Sequence, residues 1–167
     1  MHPSSFHTSR LGLTPLGIGD ASFIQELVNT EGWLRYIGNR NIHSQAEAEA
    51  YIQRILEHPD IQYWVARPMP EECPAGIITF IKRDYLDHPD IGFAFLPAFS
   101  GHGYALEAAS GVLDFLTCHH GLNQILATTL PENTRSIRLL EKLGLCFEKA
   151  IEVNGETLWV YEKRMDD

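Results

Sequence analysis

At 167 residues the chain has the length of one domain. Its 44% hydrophobic and 10% aromatic residues can fill a core that buries about two-thirds of the unfolded surface, which excludes intrinsic disorder. Thirteen Lys and Arg against 22 Asp and Glu leave a formal charge of −9. That balance argues against non-specific binding to phosphate backbones or anionic membranes, and a basic or amine-bearing partner fits better.

No apolar run approaches the ~18 residues of a membrane span, and MHPSSFHTSR lacks the apolar centre of a secretory signal, so a soluble cytoplasmic protein is expected. Cys73, Cys118 and Cys146 are odd in number and far apart, and they read as buried free thiols.

In chain order, Arg10 to Leu16 reads as a first strand, and Asp20 as the cap of a helix carrying Phe23, Ile24, Leu27 and Val28 on one face. Glu31 to Ile37 reads as a short helical turn. Ser44-Gln45-Ala46-Glu47 is a capping box, followed at 3.6-residue spacing by Ala48, Tyr51, Ile52, Ile55 and Leu56 and ended near His58-Pro59. Ile61 to Ala66 and Ala75 to Ile81 read as antiparallel strands flanking a turn, and Ile91 to Leu96 as a third strand stopped by Pro97.

A long helix from Gly103 carries Ala105, Ala108, Ala109, Val112, Leu113 and Leu116 in one apolar stripe. Gln124 to Leu130 reads as a buried strand and Thr134 to Leu143 as a helix ended by Gly144. Asn154-Gly155 marks a hairpin between two last strands. The strand, helix and strand across 91–130 form a right-handed βαβ unit, with a parallel pair inside an otherwise antiparallel sheet.

The loop Leu96 to Ala105 joins a strand to this long helix. Gly101 and Gly103 let backbone approach a ligand, and the first-turn N–H groups offer donors and the positive dipole end to a phosphate, so an anion is expected at 101–105; an ordinary strand-to-helix turn is the alternative. The dinucleotide fingerprint fails, because its third glycine would fall on Leu106, and a P-loop fails because no Gly-Lys-Ser/Thr occurs.

Ser100-Gly101-His102-Gly103-Tyr104-Ala105 resembles the acyl-CoA loop of the GNAT superfamily of N-acetyltransferases, Gln/Arg-x-x-Gly-x-Gly/Ala, at Gly103 and Ala105. Its first position departs from that pattern. The continuation Gly103-Tyr104-Ala105-Leu106-Glu107-Ala108 is similar to the branch of the RimJ/RimL ribosomal-protein N-terminal acetyltransferases. So is Asn133-Thr134-Arg135-Ser136-Ile137-Arg138-Leu139-Leu140-Glu141-Lys142-Leu143-Gly144. Looser likenesses run from Arg10 to Met165.

The resemblance implies an α/β (α+β) GNAT-like acyl-CoA N-acyltransferase fold, with a mixed sheet of about seven strands and about four flanking helices. One parallel pair would splay around the cofactor. A single domain over 1–167 is expected, with 1–9 a flexible segment.

The resemblance further implies acetyl-CoA as co-substrate, no metal, and direct attack by a primary amine. Backbone groups of Phe93, Ala94, Phe95 and Leu96 would pair with pantetheine, and Ser100, Gly101, His102, Gly103, Tyr104 and Ala105 would hold the pyrophosphate. Asn133 would orient the cofactor arm or cap its helix, or do both. The tyrosine that many relatives use as acid is Leu140 here, and Ser136 is the candidate donor to the thiolate.

Asp90 is the candidate base, acting through water, and a solvated strand end is the alternative; the acceptor sets how strong the base must be, since an N-terminal amine has a pKa of about 8 and a lysine amine one of about 10.4. Glu107 favours the helix dipole in a structural role. His102, Lys142 and Arg138 either assist phosphates or remain solvated, and His119-His120 reads as a favourable helix end rather than a metal site. Trp33 and Tyr36 form an acceptor-side wall or pack in the core.

A peptide N-terminus is the first acceptor expected. A small amine or amino-acid-like metabolite is the alternative, and a non-catalytic acyl-CoA-binding protein the second. The partners expected are thus acetyl-CoA and an amine acceptor, with no nucleic acid and no membrane, in a monomer or homodimer.

Overall fold

The computed structural model describes residues 3–165. Its eight strands lie in one sheet. β1 (Phe6–His7) and β2 (Leu11–Pro15) precede three helices, α1 (Ala21–Val28), α2 (Glu31–Tyr36) and α3 (Gln45–Glu57). β3 (Ile61–Pro68), β4 (Gly76–Ile81) and β5 (Asp90–Phe95) then lead to α4 (Tyr104–His120), and β6 (Gln124–Thr129) to α5 (Thr134–Lys142). β7 (Cys146–Val153) and β8 (Glu156–Arg164) form the last hairpin.

The spatial order is β1-β2-β3-β4-β5-β6-β8-β7. Every neighbouring pair is antiparallel except β5 with β6. This is the expected mixed sheet, with one strand and one helix more than the sequence count.

Strand alternation divides the core between the two faces of the sheet. Trp64 and Ala66 of β3 face the alanine-rich stripe of α4, with Leu11, Leu13, Ile78 and Ile125 around them. Tyr63 and Val65 of the same strand face the other way, onto α1 and α3, whose Ile24, Leu27, Ala48 and Ile52 are buried. Small residues at 108 and 109 let α4 lie close to the sheet.

Ser44 caps α3 as expected: its hydroxyl accepts from the Glu47 N–H at 3.1 Å and fixes the start of the helix, while the Glu47 carboxylate accepts from the same hydroxyl at 3.1 Å. Leu56, expected on the apolar stripe of α3, stands at its edge and is exposed.

Three further expectations are corrected. Asp20 does not cap α1 with its side chain; the carboxylate is drawn instead to Arg67, at 2.5 Å, and to the Gly17 N–H, at 2.9 Å. The three cysteines are exposed, not buried. Cys73 lies in the turn between β3 and β4, Cys118 on the outer side of α4, and Cys146 on the edge strand β7.

The segment 1–9 is not wholly flexible either: Phe6–His7 pairs with β2, and Phe6 stacks on Phe115 at 4.9 Å. The Trp64 indole N–H donates to the Ser4 carbonyl at 3.2 Å. Residues 1 and 2 of that segment lie outside the described residues.

Candidate active site

The parallel strands β5 and β6 meet at one register, Asp90 opposite Leu126. There the Leu126 N–H donates to the Pro89 carbonyl at 2.9 Å. Beyond it the two strands diverge, and a cleft of about 640 Å³ opens between them.

Two hydrogen bonds set which backbone groups look into this cleft. The Leu96 N–H donates to the Ala75 carbonyl of the β4 side at 2.8 Å, and the Pro89 carbonyl accepts from the β6 side. Alternation along β5 therefore turns the peptide groups of Phe93 and Phe95 toward the cleft and those of Ala94 and Leu96 toward β4. Of the four residues expected to offer backbone groups, Phe93, Ala94 and Phe95 line the cleft, whereas Leu96 is buried and does not.

A single turn of 3-10 helix, Pro97–Phe99, carries the chain from β5 to the glycine loop. Ser100 lines the cleft. Gly101 (φ 81°) and Gly103 (φ 78°) both occupy the left-handed region that other residues enter only with strain, so the loop needs glycine at both positions. Gly103 is the N-cap of α4 and supplies no side chain to the first-turn N–H groups.

His102 is exposed and stacks on Tyr104 at 5.5 Å. Residues 101–105 lie outside the lining of the cleft, on the α4 side of the loop.

Across the cleft, Asn133 and Ser136 both line the wall at the start of α5. Asn133 Oδ1 accepts from the Ser136 backbone N–H at 3.3 Å, so the capping role exists and leaves the Ser136 hydroxyl uncommitted to it. Leu140 is buried and apolar.

Lys142 is at the far end of α5, about 13 Å along the axis from Asn133, and exposed. Arg138 is exposed as well, and neither lines the cleft.

Trp33 and Tyr36, the expected acceptor-side wall, both line the cleft, together with Tyr63. Trp33 is buried, and its indole N–H has no partner. Burial, with help from Tyr51, pushes the Tyr63 phenol far up, so it stays protonated.

Asp90 also lines the cleft, at 2% exposure, with Oδ2 accepting from Arg83 Nε at 2.5 Å. Burial pushes its carboxyl above the usual carboxylate range, against the pull of the Arg83 charge. It is thus not the solvated strand end that a bare strand terminus would suggest.

Sequence reasoning passed over Arg40 and Arg83 on the cleft lining, and Arg10, which reaches the loop from outside it. Glu107 faces away from the cleft and takes hydrogen bonds from Thr8 and Arg10. No group of three or more His, Cys, Asp or Glu able to hold a metal occurs among the described residues, and no helix among them is long and apolar enough to cross a membrane.

A splayed parallel pair, a glycine loop feeding a long helix and a polar helix start across the gap define an acyltransferase-like architecture. The family model described as the acetyltransferase (GNAT) domain matches residues 10–145, and the chain belongs to that family.

YnaD, an uncharacterized N-acetyltransferase of Bacillus subtilis, is 27% identical over 153 residues, covering 89% of each chain. RimL, a ribosomal-protein α-N-acetyltransferase solved with coenzyme A, has a TM-score of 0.83 at 14% identity, over 98% of this chain and 99% of its own. Spermidine N-acetyltransferase of Vibrio cholerae, solved with CoA and spermine, has a TM-score of 0.79 at 21% identity, over 94% and 96%. These structural likenesses are of fold.

Proposed function

We propose that the protein transfers the acetyl group of acetyl-CoA to a primary amine by direct attack within the cleft, in the manner of the RimJ/RimL-like branch. The observation that carries this reading is the divergence of β5 from β6 after Asp90, which leaves the peptide groups of Phe93 and Phe95 facing an open cleft. An extended amide-bearing arm fits there as an added strand.

The residues present suit that co-substrate. The peptide groups of Phe93 and Phe95 pair with the pantetheine amides, and an N–H among them polarises the thioester carbonyl. Ser100 to Ala105 hold the diphosphate, and Asn133 orients the arm. Ser136 protonates the departing thiolate, and Asp90, held by Arg83, takes the ammonium proton through water. Positioning supplies much of the rate. Lys142 and His102 contact the nucleotide end.

A peptide N-terminus is the first acceptor, because its low pKa asks little of a base as confined as Asp90. The family places a ribosomal-protein acetyltransferase and a spermidine acetyltransferase near this fold, so relatives do not choose the acceptor. A second reading, a small amine carrying a carboxylate, draws on Arg40 and Arg83, which face the same space as the unpartnered Trp33 N–H. A cytoplasmic, single-domain protein accords with either acceptor.

Thermal unfolding with acetyl-CoA, NAD and ATP tests the cofactor. At ~100 times the dissociation constant a ligand adds about 2.7 kcal/mol, roughly 5–11 °C here. A shift with acetyl-CoA alone is expected, and none at millimolar concentration overturns the reading. CoA thiol release with N-terminal peptides, amino acids and polyamines then separates the acceptors, and binding without release with any of them marks the non-catalytic alternative.

A further inference from the structure

The N-terminal edge of the sheet reaches the glycine loop through one side chain. Arg10 Nε donates to Glu107 Oε1 at 2.7 Å, and the Arg10 backbone N–H to Glu107 Oε2 at 2.8 Å. The Thr8 hydroxyl donates to the same Oε2 at 2.6 Å. Arg10 Nη1 meanwhile donates to the His102 carbonyl at 2.9 Å, and the guanidinium lies over the Tyr104 ring at 4.7 Å. One arginine thus holds the carboxylate in the first turn of α4, a carbonyl of the loop and the first residue of the helix.

A free carboxylate in a first turn is drawn to the N–H groups and dipole end of its own helix. There it would occupy and repel the place of an incoming anion. Here both oxygens of Glu107 are engaged from the side of β1 and β2. Burial pushes this carboxyl up, but the hydrogen bonds from Thr8 and Arg10 outweigh that and hold it below the usual range, so it stays ionised and in place. Gly103, the cap between the two anchored points, donates no side chain and leaves the N–H groups of the first turn open.

We propose that Arg10 is a positioning residue for the diphosphate of the co-substrate: it draws Glu107 off the N-terminus of α4 while fixing the loop backbone through the His102 carbonyl. This rests on the acetyl-CoA reading given above. Lysine cannot replace it, because a single ammonium lacks the planar fork that spans a carboxylate and a carbonyl at once. Arg10 is 48% exposed on its side chain, and a pair so open to solvent adds little to global stability. Its loss should therefore appear in ligand affinity, with little change in unfolding temperature.

The test titrates the full chain and its Arg10→Ala and Arg10→Lys variants with CoA by calorimetry, and with pantetheine, which lacks the diphosphate and nucleotide, by NMR shift titration. Both variants should bind CoA at least ten-fold more weakly, bind pantetheine within two-fold of wild type, and unfold within a few degrees of it. CoA affinity within two-fold of wild type in Arg10→Ala overturns the proposal, as does an equal loss for both ligands or full recovery in Arg10→Lys. Wild-type protein that binds no CoA overturns the cofactor reading, and this assignment with it. Wild-type binding that survives intact in Arg10→Ala overturns the assignment alone.

Discussion

Arg83 and Asp90 are joined where the parallel strands last touch: Nε of Arg83 lies 2.5 Å from Oδ2 of Asp90, and Asp90 stands in register with Leu126. Removing one partner of a buried pair costs about 3–5 kcal/mol. Because the Arg83 side chain is 36% exposed, Arg83→Met should cost less, about 2–3 kcal/mol, and lower Tm by roughly 4–12 °C. Thermal unfolding checks this, and an unchanged Tm would show that Asp90 does not need its partner.

Ser136→Ala should lower kcat by about 100-fold or more if the hydroxyl is the acid. Its backbone N–H, which Asn133 caps, survives the substitution, so CoA affinity should stay close to wild type. Steady-state kinetics with a calorimetric Kd for CoA make the comparison, and an unchanged kcat removes Ser136 from the mechanism.

Gly76 underlies the cleft wall. A Cβ built there would lie 2.4 Å from the ring of Phe95, a residue of the cleft lining. Gly76→Ala should displace that ring, cost about 1–3 kcal/mol and weaken CoA binding. Urea unfolding and CoA titration of the variant check both effects; full retention of the two would mean that Phe95 moves freely.

Glu107 has a depressed pKa in the folded chain. Such a group contributes stability that is fully present above the unfolded value of about 4.3 and is lost as pH falls through the folded value. The stability of wild type should therefore fall more steeply than that of Glu107→Gln below about pH 4.3, while the two run parallel near neutrality. Urea midpoints across pH 3–7 provide the measurement.

The exposure of Cys73, Cys118 and Cys146 predicts that an aromatic disulfide reagent titrates three thiols in the native protein and no more after unfolding. Fewer native thiols would mean that one is covered.

Much of this molecule was legible from short-range pattern. The helix cap at Ser44, the alanine stripe of α4 and the turn at Asn154-Gly155 are decided by residues within a few positions of one another, and each element formed where the local pattern placed it. The βαβ order required the parallel pair, and the two motif segments supplied the family.

The tertiary structure decided what depends on pairs far apart in the chain. Arg10 meets Glu107 across 97 positions and Arg67 meets Asp20 across 47, and neither partner carries a local mark of the other. The latter pair is why Asp20 left its helix cap. Cysteine exposure was equally hidden, since a thiol's burial depends on which element ends at an edge or faces outward, as β7 does for Cys146. Local periods are written by covalent neighbours. The site is assembled by ion pairs and strand register between segments that only the folded chain brings together.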